Sequence, residues 1–246
     1  MGKSRGRRRH LSVPCSCRGG GSHYRNKRRT ERAITVHPIS HYQYNDETRL
    51  NIHHNLSTFK DERQPLDEHR HAAVAITIFD HQNESSVIVT RRSSTLKEHS
   101  GQWAMPGGRV DDGEDAIEAA LRELHEEINL DLSKQHVIGT LDDYVTRSGY
   151  VITPVVVWAD VIENDLKPNP GEVASIHAFT FTELVRGDSP NLESIPQSDR
   201  QVLSMNYHDD VIYAPTAAML YQFREVAING NATKVLDYDQ PVFAWR

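Results

Sequence analysis

Residues 72–79, Ala-Ala-Val-Ala-Ile-Thr-Ile-Phe, are apolar except for one threonine, a density that predicts a strand covered on both faces. A second strand is predicted at 87–90, after the turn-prone His81-Gln82-Asn83-Glu84. Further strands are expected at 137–144 and 150–161, joined at Arg147-Ser148-Gly149, and at 174–181. Between these runs the period changes. Ile117, Ala120, Leu121, Leu124 and Ile128 recur at helical spacing and form the core-facing arc of an amphipathic helix. Near the C-terminus, 215–229 has apolar residues spaced for another helix, with Gly230 at its end, and 233–243 reads as a last strand or hairpin. Tyr221 and Phe223 in that helix read as core residues. Strands surrounding an amphipathic helix predict a layered α/β domain.

The polar residues of the first helix carry the chemistry. Glu123, Glu126 and Glu127 fall within roughly a quarter of the circumference at about 100° per residue. This stripe lies away from the apolar arc, so the carboxylates are expected on an open face. Ala116 and Ala119, one turn earlier, are expected to leave bare surface for a ligand, and Arg122 is placed to hold one carboxylate in a fixed rotamer. Like charges three and four residues apart, in a last turn where the helix dipole opposes anions, call for neutralisation from outside the helix. A solvated acidic face is the plain alternative. Upstream, Pro106-Gly107-Gly108 gives a backbone able to turn sharply and offer carbonyl oxygens, and an all-oxygen site of this kind suits Mg²⁺ or Mn²⁺.

Gly108, Glu114, Arg122, Glu123, Leu124, Glu126, Glu127 and Leu130 resemble the Nudix box, G-x5-E-x7-R-E-U-x-E-E-x-G-U with U aliphatic. One position departs: Asn129 replaces the late glycine, and Asn is the next most tolerant residue for the left-handed conformation that commonly ends a helix. The resemblance implies an αβα sandwich with a mixed β-sheet, and hydrolysis of a nucleoside diphosphate linked to another group. It also implies that Glu123, Glu126 and Glu127 bind the metal together with the Gly108 carbonyl, and that Arg122 and Glu114 form an orienting pair.

Residues 88–108 are similar to the additional signature of the coenzyme A diphosphatase branch. Thr90, Arg92, Ser93, Gly101, Pro106, Gly107 and Gly108 match in register, whereas Lys97 stands for an arginine and Met105 for a phenylalanine. Lys keeps the charge but lacks the bidentate fork of Arg. The resemblance implies a small-molecule, CoA-like nucleotide substrate, with Arg92 and Lys97 as substrate-binding residues. ADP-ribose, dinucleoside polyphosphates or oxidised nucleotides are the alternatives within the chemistry. A nucleotide-sensing module without catalysis is the alternative outside it, disfavoured by the full carboxylate set. Glu172, after Pro170-Gly171, reads as a further metal ligand or general base, or as a solvated loop residue; His99 reads as a loop residue.

Charge divides the 246-residue chain. Residues 1–32 hold 11 Lys or Arg against one acid, Glu31, while the remainder holds 17 against 33. The first stretch has little to build a core and is expected to be a disordered basic arm. Contact with nucleic acid, a targeting role and an unimportant extension compete for it; the last is favoured because no aromatic or helical framework accompanies the charge. Residues 33–68 are polar, rich in His and without sustained periodicity, and are expected to be a linker before a catalytic domain at 69–246. Two cysteines, Cys15 and Cys17, and no apolar run near the ~20 residues of a membrane span suggest a soluble, reducing compartment, taken as the cytoplasm.

Overall fold

The computed structural model describes residues 42–95 and 100–245. The basic arm, Lys97 and His99 lie outside the described residues. In chain order the elements are α1 (Asp46–Thr58), β1 (Arg70–His81), β2 (Glu84–Arg92), β3 (Trp103–Ala104), β4 (Gly107–Arg109) and α2 (Ala116–Ile128). There follow β5 (Val137–Thr140), β6 (Tyr144–Val145), β7 (Tyr150–Ile162), β8 (Val173–Thr180), α3 (Phe181–Leu184), β9 (Asn191–Glu193), β10 (Val202–Tyr207), β11 (Asp210–Tyr213) and α4 (Thr216–Phe223).

The main sheet runs β3-β2-β1-β7-β5, with β4 on β1, β6 on β7 and β8 on β2. It is mixed, because β1 and β7 pair in parallel while their other neighbours are antiparallel. The apolar runs are dense because both faces are covered. Ala73, Ala75 and Phe79 of β1, with Val155, Val157 and Ala159 of β7, pack with Ala120, Leu124 and Ile128 of α2. The alternate residues Ile76, Ile78, Val156 and Trp158 face the other core, with Ile52 and Leu56 of α1 and Leu220 and Phe223 of α4. Helices therefore cover the sheet from both sides, as an αβα sandwich requires. The predicted strand at 137–144 is divided into β5 and β6.

Local chemistry sets the ends of α2. Asp115 Oδ1 accepts from Glu118 N at 2.8 Å while Glu118 Oε2 accepts from Asp115 N at 2.9 Å, a reciprocal capping box. At the other end Asn129 adopts φ 56° and ψ 37°, the left-handed conformation expected of it, and Leu130 N donates to Leu124 O at 3.2 Å.

Two expectations about the ends of the domain are corrected. Part of the supposed linker is α1, capped by Asn45, whose side chain accepts from Thr48 N at 2.9 Å. Only Thr48, Ile52, Asn55 and Leu56 of this helix are buried, and two of the four are polar, so its buried face left almost no apolar signal. Asn55 Nδ2 donates to Ala227 O at 2.9 Å, a long-range contact that a sequence period cannot show. The segment 233–243 contributes no strand. It docks through buried Val235 and one bridge between Val202 and Asp239, because its groups find turn and side-chain partners, among them Arg147 on Asp239. A separate three-stranded sheet, β11-β10-β9, had no counterpart in the sequence expectations. The predicted C-terminal helix forms as α4, continues as a wider turn through Arg224–Ile228, and is followed by Gly230 at φ +71°.

The α1 packing yields a direct test. Ile52→Ala is expected to lower the unfolding free energy by about 2–4 kcal/mol, the usual loss for emptying a fully enclosed aliphatic site. Urea unfolding of the full chain measures it; a loss below about 0.5 kcal/mol would remove α1 from the core.

Candidate active site

Two of the three helix glutamates are not on an open face. Glu123 is buried and Glu127 is 2% exposed, whereas the Glu126 side chain remains 48% exposed. The strand β4 makes the difference. It lies along β1 with Gly107 opposite Val74 and Gly108 opposite Ala73, and it packs against α2 at the Glu123 carboxylate. A Cβ on Gly107 would collide with the Ala73 carbonyl oxygen and Val74, and one on Gly108 would collide with the Glu123 carboxylate. Each glycine therefore permits a close approach: one of strand to strand, the other of backbone to carboxylate. Ala119, expected to be bare, is fully buried beneath the same sheet.

A loop from β7 to β8 closes the other side. The last carbonyls of a helix lack partners within it, and here the loop supplies them. Asn169 N donates to Glu127 O at 2.8 Å, Asn169 Nδ2 to Glu126 O at 3.2 Å, and Lys167 N to Ile128 O at 3.1 Å. Glu172 N in turn donates to Asn169 O at 3.0 Å, and Ser93 N donates to Glu172 O at 2.8 Å. This chain of bonds carries Glu172 back to the helix. Carboxylate oxygens of Glu123, Glu127 and Glu172 lie within 4.8 Å of one another. Glu126 is not in this trio. Asn169 was not singled out from the sequence; the Asn-Pro turn before Glu172 was the available signal.

Arg122 organises the remaining acids. It donates to Glu114 Oε1 at 3.0 Å, Glu123 Oε1 at 2.9 Å and Glu126 Oε2 at 3.2 Å, and its other terminal nitrogen reaches Arg109 O at 2.9 Å. Hydrogen bonding from Arg122 holds Glu114 below the ordinary carboxylate range. Burial pushes Glu123 upward against the pull of Arg122. Burial acts most strongly on Glu127, whose pKa rises to about 8; Arg92 opposes the rise and the Glu123 and Glu172 charges add to it. Arg92 Nη1 stands 3.9 Å from Glu127 Oε1, and its buried Nε has no hydrogen-bond partner among the described residues. By contrast, Arg91 is committed elsewhere, to Asp210 at 2.5 Å and the face of Trp103 at 4.3 Å.

Beside the carboxylates opens a cleft of about 320 Å³. Arg92 of β2 and Gly107, Gly108 and Arg109 of β4 line it, and Met105, Ile152 and Met219 give it apolar surface. No helix among the described residues is long and apolar enough to cross a membrane.

The NUDIX domain model matches residues 69–204. The chain is 34% identical over 162 residues to a protein of Photorhabdus laumondii named uncharacterized Nudix hydrolase NudL, covering 65% of this chain and 86% of that protein. To the Shigella flexneri protein of the same name it is 32% identical over 176 residues, 70% of this chain and 88% of the other. Among solved structures, it matches a MutT protein of Methanosarcina mazei Go1 at 16% identity, covering 52% of this chain and 84% of that one, with a TM-score of 0.39. With the Nudix box, the mixed sheet between helices and this extent of matched sequence, the chain belongs to the Nudix family of hydrolases, which act on pyrophosphate bonds.

Proposed function

We propose that the protein hydrolyses the diphosphate bond of coenzyme A or acyl-CoA, giving adenosine 3′,5′-bisphosphate and 4′-phosphopantetheine or its acyl derivative. The observation that carries this reading is Arg92. It sits on the position shared with the CoA-branch signature, 3.9 Å from Glu127, and lines the cleft beside the carboxylates. A guanidinium there is suited to orient a phosphate by charge-assisted hydrogen bonds.

The donor set fits a hard divalent cation, Mg²⁺ or Mn²⁺. Three carboxylates gathered at the edge of a core repel one another, and the burial that lifts Glu123 and Glu127 is the deficit a cation relieves. When bound, the ion neutralises the diphosphate and activates water. Glu123, Glu127 and Glu172, whose carboxylate oxygens lie within 4.8 Å of one another, would hold it, with the Gly108 carbonyl as a further candidate. Glu126, open to solvent and tied to Arg122, is a fourth carboxylate at the same face, suited to bind a second ion or to accept the proton of the attacking water. Arg122 and Glu114 keep Glu123 oriented. Lys97, outside the described residues, is proposed as a second substrate-binding residue on the signature resemblance alone.

The carboxylate energetics set a pH dependence. Glu127 has a folded pKa of about 8 against an ordinary 4.5, so between these values the folded chain binds more protons than the unfolded one, and stability falls as pH rises. In EDTA, urea unfolding is expected to show a decline of up to about 1.4 kcal/mol per pH unit between roughly pH 5 and 8. Adding Mg²⁺ is expected to restore stability increasingly toward pH 8, since the ion binds the ionised site of the folded state. A flat profile, or a Mg²⁺ effect that shrinks with pH, would contradict the buried cation site.

Glu123→Gln and Glu127→Gln are each expected to reduce turnover at saturating Mg²⁺ about a hundredfold or more while the fold persists. Near-native rates in a folded variant would remove that residue from the site. Substrate identity is read from products with CoA, dephospho-CoA, ADP-ribose and diadenosine polyphosphates. Arg92→Ala is expected to lower kcat/KM on CoA about ten- to a hundredfold. Loss on CoA alone assigns Arg92 to the ribose 3′-phosphate; equal loss on dephospho-CoA assigns it to the diphosphate. Preference for ADP-ribose over CoA, unaltered by the substitution, would overturn the CoA reading.

A further inference from the structure

One wall of the cleft comes from outside the part of the chain that matches the family model. That match ends at residue 204, yet Pro215, Thr216 and Met219 at the start of α4, with Gln240 and Ala244 near the C-terminus, line the cavity. None of the five carries a charge. The lining also includes Arg92, 3.9 Å from Glu127, and Gly108, which lies against the Glu123 carboxylate. The lining thus combines a part beside the carboxylates, suited to the diphosphate, with an uncharged part from the C-terminal segment.

Next to these lining residues in the chain is an open apolar surface. Tyr213, two residues before Pro215, and Phe243, immediately before Ala244, meet edge to face with ring centroids 5.4 Å apart. They remain 40% and 59% exposed, and the adjoining Val242 is 42% exposed. Single exposed apolar side chains are ordinary, but a group of them on residues adjoining the cleft lining indicates a surface that another apolar group covers.

We infer that Met219, Tyr213 and Phe243 bind an apolar appendage of the substrate and set its preference, which, resting on the CoA reading above, is the acyl chain of the thioester. Removing such a chain from water onto ring edges and a thioether is favourable in proportion to the area covered, and no charged group on this wall opposes it. The preference then resides in the C-terminal segment, while the Nudix segment carries the chemistry.

The test is steady-state kinetics of the full chain with Mg²⁺ on CoA, acetyl-CoA, octanoyl-CoA and ADP-ribose, for wild type, Phe243→Ala, Phe243→Leu and Tyr213→Ala. The wild type is expected to favour octanoyl-CoA over CoA. In Phe243→Ala the ratio of the two kcat/KM values is expected to fall about tenfold, chiefly through KM for octanoyl-CoA, and Phe243→Leu is expected to recover much of it. Both rings are exposed, so circular dichroism and thermal melting are expected to match wild type. A wild type that cleaves CoA without preferring the acylated form, or variants that leave the ratio unchanged, overturns the inference and leaves the CoA reading standing. Turnover of ADP-ribose with none of CoA or its thioesters overturns the CoA reading, and the inference with it.

Discussion

Enclosing the Glu123 and Glu127 carboxylates at the edge of the core is the constraint on which the surrounding architecture depends. Carboxylates lose hydration when covered, and like charges in one small volume add to the cost. The structure offsets part of this with Arg122 on Glu123 and Arg92 near Glu127. It leaves the rest in the raised proton affinity of Glu127. The same deficit is what the proposed cation would relieve, so a feature that weakens the metal-free fold is the one that suits the proposed chemistry.

Getting the carboxylates there requires three elements to converge. The sheet presents β1 as a rail, and β4 lies on it only because Gly107 has no side chain. Gly108 then meets Glu123 without a Cβ between them. The 167–173 loop satisfies the exposed carbonyls at the end of α2 and so returns Glu172 to the first two acids. Backbone hydrogen bonds, obligatory at any helix end, serve here as the positioning device.

The two faces of the sheet divide the labour. Against one packs α2, which holds the acids; against the other pack α1 and α4. At the start of α4, Pro215, Thr216 and Met219 form the uncharged cleft wall. Asn55 of α1 is tied to Ala227, just beyond α4, so the segment before the Nudix match supports the one after it. In the proposed reading, the reacting centre and the wall that meets the remainder of the substrate come from different segments of the chain.

The sequence by itself determined the sheet-forming runs, α2 and the residue types of the site. Strand burial on both faces, helical spacing and the left-handed tolerance of Asn129 are local properties, legible from neighbouring residues. It did not disclose α1, whose buried face is half polar and whose Asn55 finds its partner 172 residues away. It also gave no sign of β9 to β11, which are short and stabilised by their pairing, nor of the irregular docking of 233–243. Helical periodicity correctly grouped Glu123, Glu126 and Glu127 but assigned them all to an open face, because a helix wheel has no knowledge of what lies against it. Only the tertiary structure decided that β4 covers Glu123 and Glu127, that Glu126 stays in solvent, and that Glu172 joins the first two, since burial is fixed by chain segments far apart in sequence.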